Sequence, residues 1–136
     1  MQKNRSKQYL IFISHSTKDS WVAKQMASLL ENRGAKSGLK TFLDAKDIEG
    51  GDPIPDTIRK NISDCSEFVV LLTADSISRP WVLIEIGAAW ARKKRIVAII
   101  DKIAPSDMPQ IIAPYKAIDL NNFDDYIAQV LKRLRV

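Results

Sequence analysis

A single acidic side chain lies within an otherwise apolar stretch of the chain and is the first candidate for chemistry. Residues 80–91 read Pro-Trp-Val-Leu-Ile-Glu-Ile-Gly-Ala-Ala-Trp-Ala, so Glu85 is their only charged residue. Such a stretch is typical of a helix that is buried or lines a cleft, where an unpartnered carboxylate would cost several kcal/mol. Two interpretations follow. Glu85 is held by the backbone or by a cation such as Arg79 or Arg92, or it is kept poorly solvated in order to act on a ligand.

An aromatic side chain accompanies this carboxylate. Trp81 precedes Glu85 by four residues, so the two side chains share one face of a helix. Hydrolysis of an ordinary glycoside needs two carboxylates because the leaving oxygen must be protonated. A pyridinium leaving group departs neutral, so one anion near C1′ of the ribose can stabilise the oxocarbenium-like charge. The pair therefore suits cleavage of the nicotinamide–ribose bond of NAD⁺.

Five short strand-like segments are spread along the chain. They are residues 9–13, 39–43, 68–72, 96–100 and 115–118. The first four start 30, 29 and 28 residues apart, which is close to the length of a βαβ unit. Residues 9–13, 68–72 and 96–100 are continuous apolar runs, which are typical of strands buried on both faces, whereas the second segment contains the polar residues Lys40 and Thr41. Lys116 interrupts the fifth run, which suits an edge strand.

Helical spacing of apolar residues fills the intervals between these segments. It predicts helices at about 17–33, 53–62 and 78–94, and a closing amphipathic helix around residues 126–134. Ser16 and Asp19 have the spacing of a capping box for the first helix. The alternation predicts an α/β, flavodoxin-like three-layer sandwich with a five-stranded parallel sheet. Ligands of such folds bind at the carboxyl ends of the strands, so the loops after the first three strands should carry the site.

Length and composition limit the classes of protein that remain. We expect residues 1–7 to be a basic N-terminal tail and residues 8–136 to be a single domain, because 136 residues suit one hydrophobic core. Unbroken aliphatic or aromatic runs reach five residues, against about 20 for a membrane-spanning helix. With no signal-peptide pattern either, we expect a cytoplasmic protein without a membrane partner. One cysteine, Cys65, and one histidine, His15, exclude an internal disulfide and a Cys/His metal site, and we predict no metal.

Charge and short motifs argue against several other functions. The net charge of +5 is spread as +2 over residues 1–68 and +3 over residues 69–136, so nucleic acid is not an expected partner. No dinucleotide-binding glycine motif, P-loop, EF-hand or serine-hydrolase elbow occurs. His15 lies in the first predicted strand-to-helix loop. It is either a turn residue that is hydrogen-bonded to the backbone or a catalytic base, since histidine titrates near neutral pH.

Three motifs follow one another at the ends of the predicted elements. They are Phe12-Ile13-Ser14-His15-Ser16, then Phe42-Leu43-Asp44 with Ile48-Glu49-Gly50-Gly51 after it, and then Trp81-x-x-x-Glu85. In combination they resemble a bacterial-type TIR (Toll/interleukin-1 receptor) domain over essentially the whole chain. The resemblance implies NAD⁺ glycohydrolase or cyclase activity with NAD⁺ as substrate and no cofactor. The products would be nicotinamide and ADP-ribose or a cyclic isomer, and some relatives use such cyclic products as signals in antiphage defence.

The resemblance also implies roles for particular residues. The essential glutamate of catalytic TIR domains matches Glu85. Substrate-binding roles fall on Ser14, Ser16, Thr17, Asp44, Glu49, Arg79 and Trp81. Some of these have a structural alternative: Ser16 as a helix cap, Glu49 as a solvated loop charge and Arg79 as a partner of Glu85. Some relatives carry arginines where this chain has Ser16 and Thr17, which weakens the expectation of phosphate contacts there.

Partners are implied in the same way. About residues 44–55 correspond to the BB loop of the family, through which the chain would associate with itself or with another TIR domain. A downstream effector that senses the product is a further implied partner. Two alternatives remain open from the sequence: a non-catalytic TIR scaffold, and an enzyme related to the nucleoside 2-deoxyribosyltransferases, which use a carboxylate at C1′ on a related fold.

Overall fold

Five strands form one sheet in which every neighbouring pair is parallel. The strands are β1 Leu10–Ser14, β2 Lys40–Asp44, β3 Glu67–Leu72, β4 Arg95–Ile100 and β5 Ala117–Asp119. Their spatial order is β2-β1-β3-β4-β5. The computed structural model describes residues 8–44 and 56–134, and of Asp44 the backbone alone. The predicted tail and most of the predicted BB loop, including Glu49, lie outside the described residues.

Four helices cover the two faces of the sheet. They are α1 Ser20–Arg33, α2 Asp56–Asp64, α3 Pro80–Ala91 and α4 Phe123–Leu134. The helices α2 and α3 share one apolar core with the sheet, whereas α1 and α4 share the other. The predicted α/β, flavodoxin-like three-layer fold is therefore confirmed. No helix in the described part of the chain is both long and apolar enough to cross a membrane.

The central strands are apolar on both faces, as the continuous runs predicted. Phe12 of β1 and Phe68 of β3 lie in the core under α2 and α3, with their rings stacked at a centroid distance of 5.3 Å. The neighbouring residues of β1, Ile11 and Ile13, lie on the opposite face of the sheet, in the core under α1 and α4. This period of two places one row of large side chains under each helical layer. The edge strand β2 differs, because its residues 41–43 are only half-buried.

The first helix begins later than its pattern predicted. Residues Thr17–Asp19 form one 3₁₀ turn, and α1 starts at Ser20. The hydroxyl of Ser16 donates to the Asp19 carboxylate at 2.8 Å and makes no cap to a backbone N–H. The predicted capping box is therefore wrong, because the short turn moves the helix start beyond the reach of Ser16. The third helix ends before its predicted limit, because Lys93 has a left-handed backbone (φ 58°) that stops it.

A buried carboxylate joins the last helix to the sheet at the amino end of β3. Glu67 accepts hydrogen bonds from the hydroxyls of Tyr9 and Tyr126 and from Arg133 of α4, whose Nε lies 2.7 Å from Oε2. Burial alone would raise the pKa of Glu67, but the donors outweigh it and hold the pKa below its ordinary value. Burial and the same carboxylate raise the pKa of Tyr9 to about 12. The cluster ties β1, β3 and α4 together on the side of the molecule opposite the strand ends where ligands are expected.

Candidate functional site

Glu85 is anchored to the carboxyl end of β1, an interior strand of the sheet. Its side chain is 1% exposed, and Oε1 accepts a hydrogen bond of 2.6 Å from the hydroxyl of Ser14, the last residue of β1. Ser14 is itself buried. A donor at this distance is typical of a charge-assisted bond to a carboxylate. The geometry therefore fixes one oxygen of Glu85 against a rigid part of the sheet.

The composition of α3 explains why this carboxylate points inward. Pro80 occupies the first helical position, which its ring favours, and starts the helix shortly after β3 ends. Val82, Ile86 and Ala89 pack into the core. The remaining buried stripe carries Trp81 and Glu85, as their spacing of four predicted.

A cleft of about 280 Å³ lies between α2 and α3 and is lined by both Trp81 and Glu85. Its other apolar lining includes Ile58 and Ile62 of α2 and Ala88 of α3. Pockets for small molecules commonly measure about 300–1,000 Å³, so the described residues enclose a space at the lower limit of that range. An apolar cleft with an aromatic ring and one carboxylate can hold a flat ring beside a reacting sugar.

Two arginines that the sequence reasoning did not assign to the site also line this cleft. Arg59 lies on α2, and Arg92 directly follows α3. The signal for Arg92 was present in the sequence, because it continues the helical stripe that starts with Trp81 and Glu85. Arg59 depends on the packing of α2 against α3, which no local pattern reveals.

A hydrogen-bonded cluster connects the loops after β1 and β3 beside the site. The Asp19 carboxylate accepts from Ser16 Oγ at 2.8 Å and from Thr73 Oγ1 at 2.7 Å. The buried hydroxyl of Ser76 accepts from the Thr73 backbone N–H and donates to the carbonyl oxygen of Leu71. These bonds hold the two loops in one arrangement at the carboxyl ends of the strands.

Arg79 lies at the start of α3 and pairs with Asp75. Its Nη2 and Nε donate to the two carboxylate oxygens at 2.8 and 3.2 Å. This guanidinium, followed by Ser16, holds the pKa of Asp75 below its ordinary value. Lys18 lies 3.9 Å from the same carboxylate. The sequence offered two roles for Arg79, binding of substrate and pairing with Glu85. The structure adds a third, a bidentate ion pair with Asp75, four residues earlier in the chain.

The remaining predicted residues lie at the same end of the sheet. Thr17 opens the turn after β1, and Asp44 closes β2 in register with Ser14. His15 is buried, with Nδ1 3.4 Å from the carbonyl oxygen of Ile13. The structure therefore joins Ser14 to Glu85 and places Trp81 in the same cleft as Glu85. Ser16, Thr17, Asp44 and Arg79 lie at the same end of the sheet. Among residues 8–44 and 56–134, no group of three or more acidic, histidine or cysteine side chains is arranged to hold a metal.

Comparisons with known proteins agree with this architecture. A family model described as "TIR domain" matches residues 11–134. A protein of Brachypodium distachyon described as "Probable 2' cyclic ADP-D-ribose synthase BdTIR" is 31% identical over 120 residues, which cover 85% of this chain and 53% of that protein. The chain thus spans about half the length of this relative.

Two solved structures share the fold. The metazoan TIR-STING receptor from C. gigas in complex with 2',3'-cGAMP superposes with a TM-score of 0.69 at 22% identity, covering 93% of this chain and 40% of that one. The TIR domain of the Toll-related receptor TRR-2 from Hydra magnipapillata superposes with a TM-score of 0.66 at 18% identity, covering 93% and 98%. At these identities the likeness shows the fold alone.

Proposed function

The chain belongs to the TIR domain family, and from this membership we propose that it cleaves the nicotinamide–ribose bond of NAD⁺. The products are nicotinamide and either ADP-ribose or a cyclic isomer. One observation carries the proposal: Glu85 is buried, is held by Ser14, and lines a cleft together with Trp81. The relative described as a probable cyclic ADP-ribose synthase supports it.

The proposed chemistry begins with departure of the leaving group. The C1′–N bond breaks and its electron pair goes to the pyridinium nitrogen, so nicotinamide leaves neutral without a general acid. The Glu85 carboxylate stabilises the positive charge that develops on the ribose, in a site with little water. Water then forms a bond to C1′ and loses a proton, which gives ADP-ribose. In cyclisation, a nucleophilic atom of the ADP-ribose itself takes the place of water.

The proposed substrate contacts rest on the cleft for Trp81 and Glu85 and on the family resemblance for the other residues. Trp81 offers an aromatic surface to the nicotinamide ring, and Ser14 holds the carboxylate in place. Further substrate contacts are proposed for Ser16, Thr17, Asp44, Glu49 and Arg79. The reaction as written uses no cofactor, because NAD⁺ is consumed as a substrate.

The wider role that we propose is signalling in antiphage defence, in the cytoplasm. A product of this kind would be read by a downstream effector. Self-association, or association with another TIR domain, through about residues 44–55 would complete the site. These residues lie mostly outside the described part of the chain, so the proposal depends on the family resemblance.

The decisive experiment is substitution of the carboxylate. Glu85→Gln keeps the size of the side chain and an oxygen for Ser14 but removes the charge, so nicotinamide release should fall by about a hundredfold or more. Products are separated by chromatography after incubation of concentrated protein with NAD⁺. Asp125→Asn, an exposed carboxylate of α4 on the other face of the sheet, is the matched control and should retain full turnover. Turnover by Glu85→Gln equal to that of the control would reject the proposal.

A non-catalytic interaction module is the second candidate. The apolar side chains of Leu83, Ile84 and Trp90 are exposed along α3, which suits a docking surface more than an enzyme's exterior. A scaffold of this kind would leave NAD⁺ unchanged at every protein concentration. Including deoxynucleosides in the same chromatography also tests the deoxyribosyltransferase alternative.

A further inference from the structure

The two arginines of the cleft between α2 and α3 carry charge that no described carboxylate balances. Arg59 is exposed and makes no hydrogen bond or ion pair with any residue in 8–44 or 56–134. Arg92 donates from Nη1 to the neutral hydroxyl of Ser63 at 3.1 Å. Both residues line the same cleft as Glu85. A ligand in this cleft therefore meets a carboxylate at one position and two available cations at others.

The described groups nearer to the loops after β1 and β3 are less suited to an anion. Arg79 is engaged by both oxygens of Asp75, and Lys18 lies close to the same carboxylate. The hydroxyl of Ser16 donates to Asp19. An anion placed there would have to displace an acidic side chain, whereas at Arg59 it would not.

The order of chemical groups along the cleft also matches the order along a dinucleotide. Trp81 and Glu85 of α3 and Arg92, directly after it, follow one helical stripe, and the seven steps from Glu85 to Arg92 correspond to about 10 Å along a helix axis. In NAD⁺ the aromatic ring, the ribose and the diphosphate follow one another in the same sense. With the ring against Trp81 and C1′ at Glu85, the diphosphate extends toward the arginines. A guanidinium is the side chain best matched to phosphate oxygens.

We propose that Arg59 and Arg92 bind the diphosphate of NAD⁺ and make this site selective for the dinucleotide over nicotinamide riboside. This inference rests on the proposed function. Arg59 contributes more, because it has no competing hydrogen bond, and Arg92 adds a second contact once it leaves Ser63. The diphosphate site thus lies between two helices and does not depend on the residues after β1.

The test compares substrates with and without phosphate. Steady-state kinetics are measured with NAD⁺, which carries the diphosphate, and with nicotinamide riboside, which carries none. In Arg59→Ala we expect KM for NAD⁺ to rise about tenfold, the usual range for a lost charge-assisted hydrogen bond, while kcat changes little. KM for nicotinamide riboside should stay unchanged. Arg92→Ala should act in the same direction with a smaller rise, and the double variant should exceed either one.

The matched control is Arg33→Ala, which removes an exposed arginine at the end of α1, on the other face of the sheet. It should leave both substrates unaffected. An equal change of KM for both substrates in Arg59→Ala, or no change for either, would overturn the proposal.

Failure of the proposed function gives a different pattern. If the wild-type protein releases nicotinamide from neither substrate, titration calorimetry with ADP-ribose decides the question of the diphosphate site. Binding that weakens about tenfold in Arg59→Ala and stays unchanged in Arg33→Ala supports the site even without catalysis. Equal binding by both variants, or no binding by the wild-type protein, rejects it.

Discussion

The bond between Ser14 and Glu85 is the most specific feature of the molecule at the scale of single residues. It joins side chains that are 71 positions apart in the chain, and both are buried. A buried carboxylate can keep its charge only where donors replace the lost water. The hydroxyl of Ser14 is such a donor, and the pairing of β1 with both β2 and β3 fixes its position. We therefore propose that Ser14 is a positioning residue, which acts on the reaction through Glu85.

Removing this hydroxyl should affect turnover more than binding. In Ser14→Ala, Glu85 loses the hydrogen bond that orients it, so kcat for NAD⁺ should fall about tenfold with little change in KM. Ser14→Thr restores a hydroxyl and should recover part of kcat. A thermal melt accompanies each variant. If the Thr variant melts as the wild-type protein does but shows no recovery, or if KM alone changes, the positioning role is wrong.

Sequence reasoning found the candidate residues but not their contacts. Glu85 stood out because a lone charge in an apolar helix is unusual, and Trp81 because of its spacing from it. The resemblance supplied Ser14. Neither route predicted that Ser14 donates to Glu85, because a contact between residues so far apart depends on how the third helix crosses the first strand. The position of Arg59 in the cleft was not predicted for the same reason, because no local sequence pattern indicates that an exposed arginine lines a cleft.

At the scale of elements, the fold could be predicted where one local rule dominates. Three strands, β1, β3 and β4, followed from continuous apolar runs, a pattern typical of strands covered on both faces. The start of α1 could not be predicted in this way. Asp19 accepts hydrogen bonds from Ser16 and Thr73, which holds residues 17–19 in a separate turn before the helix. The cluster around Glu67 was also missed. A glutamate next to an apolar run indicates only the end of a strand. The partners of Glu67 lie far from it in sequence, so no local pattern predicts these hydrogen bonds.

The Glu67 cluster should make the docking of α4 sensitive to alkaline pH. The pKa of Tyr9 is about 12 in the folded protein, against 10 for an ordinary tyrosine. A raised pKa means that the folded state favours the protonated hydroxyl. That stabilisation is complete below pH 10 and is lost as the pH rises from 10 to about 12. The pKa of Tyr126 is raised as well, by burial and by Glu67, so it adds to the same loss.

Replacing Tyr9 should reduce this pH dependence. Tyr9→Phe removes one donor to Glu67, so the free energy of unfolding at pH 8 should fall by about 1 kcal/mol. Above pH 10 the gap between the variant and the wild-type protein should narrow, because the wild-type hydroxyl no longer contributes there. Urea unfolding at both pH values measures the two differences. Tyr115→Phe, at an exposed tyrosine, is the control and should leave stability unchanged at both. A gap for Tyr9→Phe that is constant from pH 8 to pH 12 would contradict this assignment.

At the scale of the whole molecule, the parallel sheet places the carboxyl ends of β1, β2 and β3 at one end of the molecule. β1 and β3 are adjacent at the centre, with α2 and α3 on the same face, so the residues after β1 and the start of α3 meet. The alternation of strands and helices predicted the doubly wound fold class but not this strand order, because the same alternation fits more than one order. The width of the cleft was not predictable, because it depends on the packing distance between α2 and α3.

The size of the cleft between α2 and α3 should make turnover depend on association between copies. The described residues enclose about 280 Å³, which is small for a dinucleotide, and the proposed association would supply the missing wall. Turnover per molecule should then rise with protein concentration and level off once association is complete. Adding the inactive Glu85→Gln variant to dilute wild-type protein should raise wild-type turnover in the same way, because a copy that lacks the carboxylate can still complete its neighbour's site. An equal mass of an unrelated protein is the control. Turnover per molecule that stays constant on dilution, and is indifferent to the added variant, would mean that each copy holds a complete site by itself.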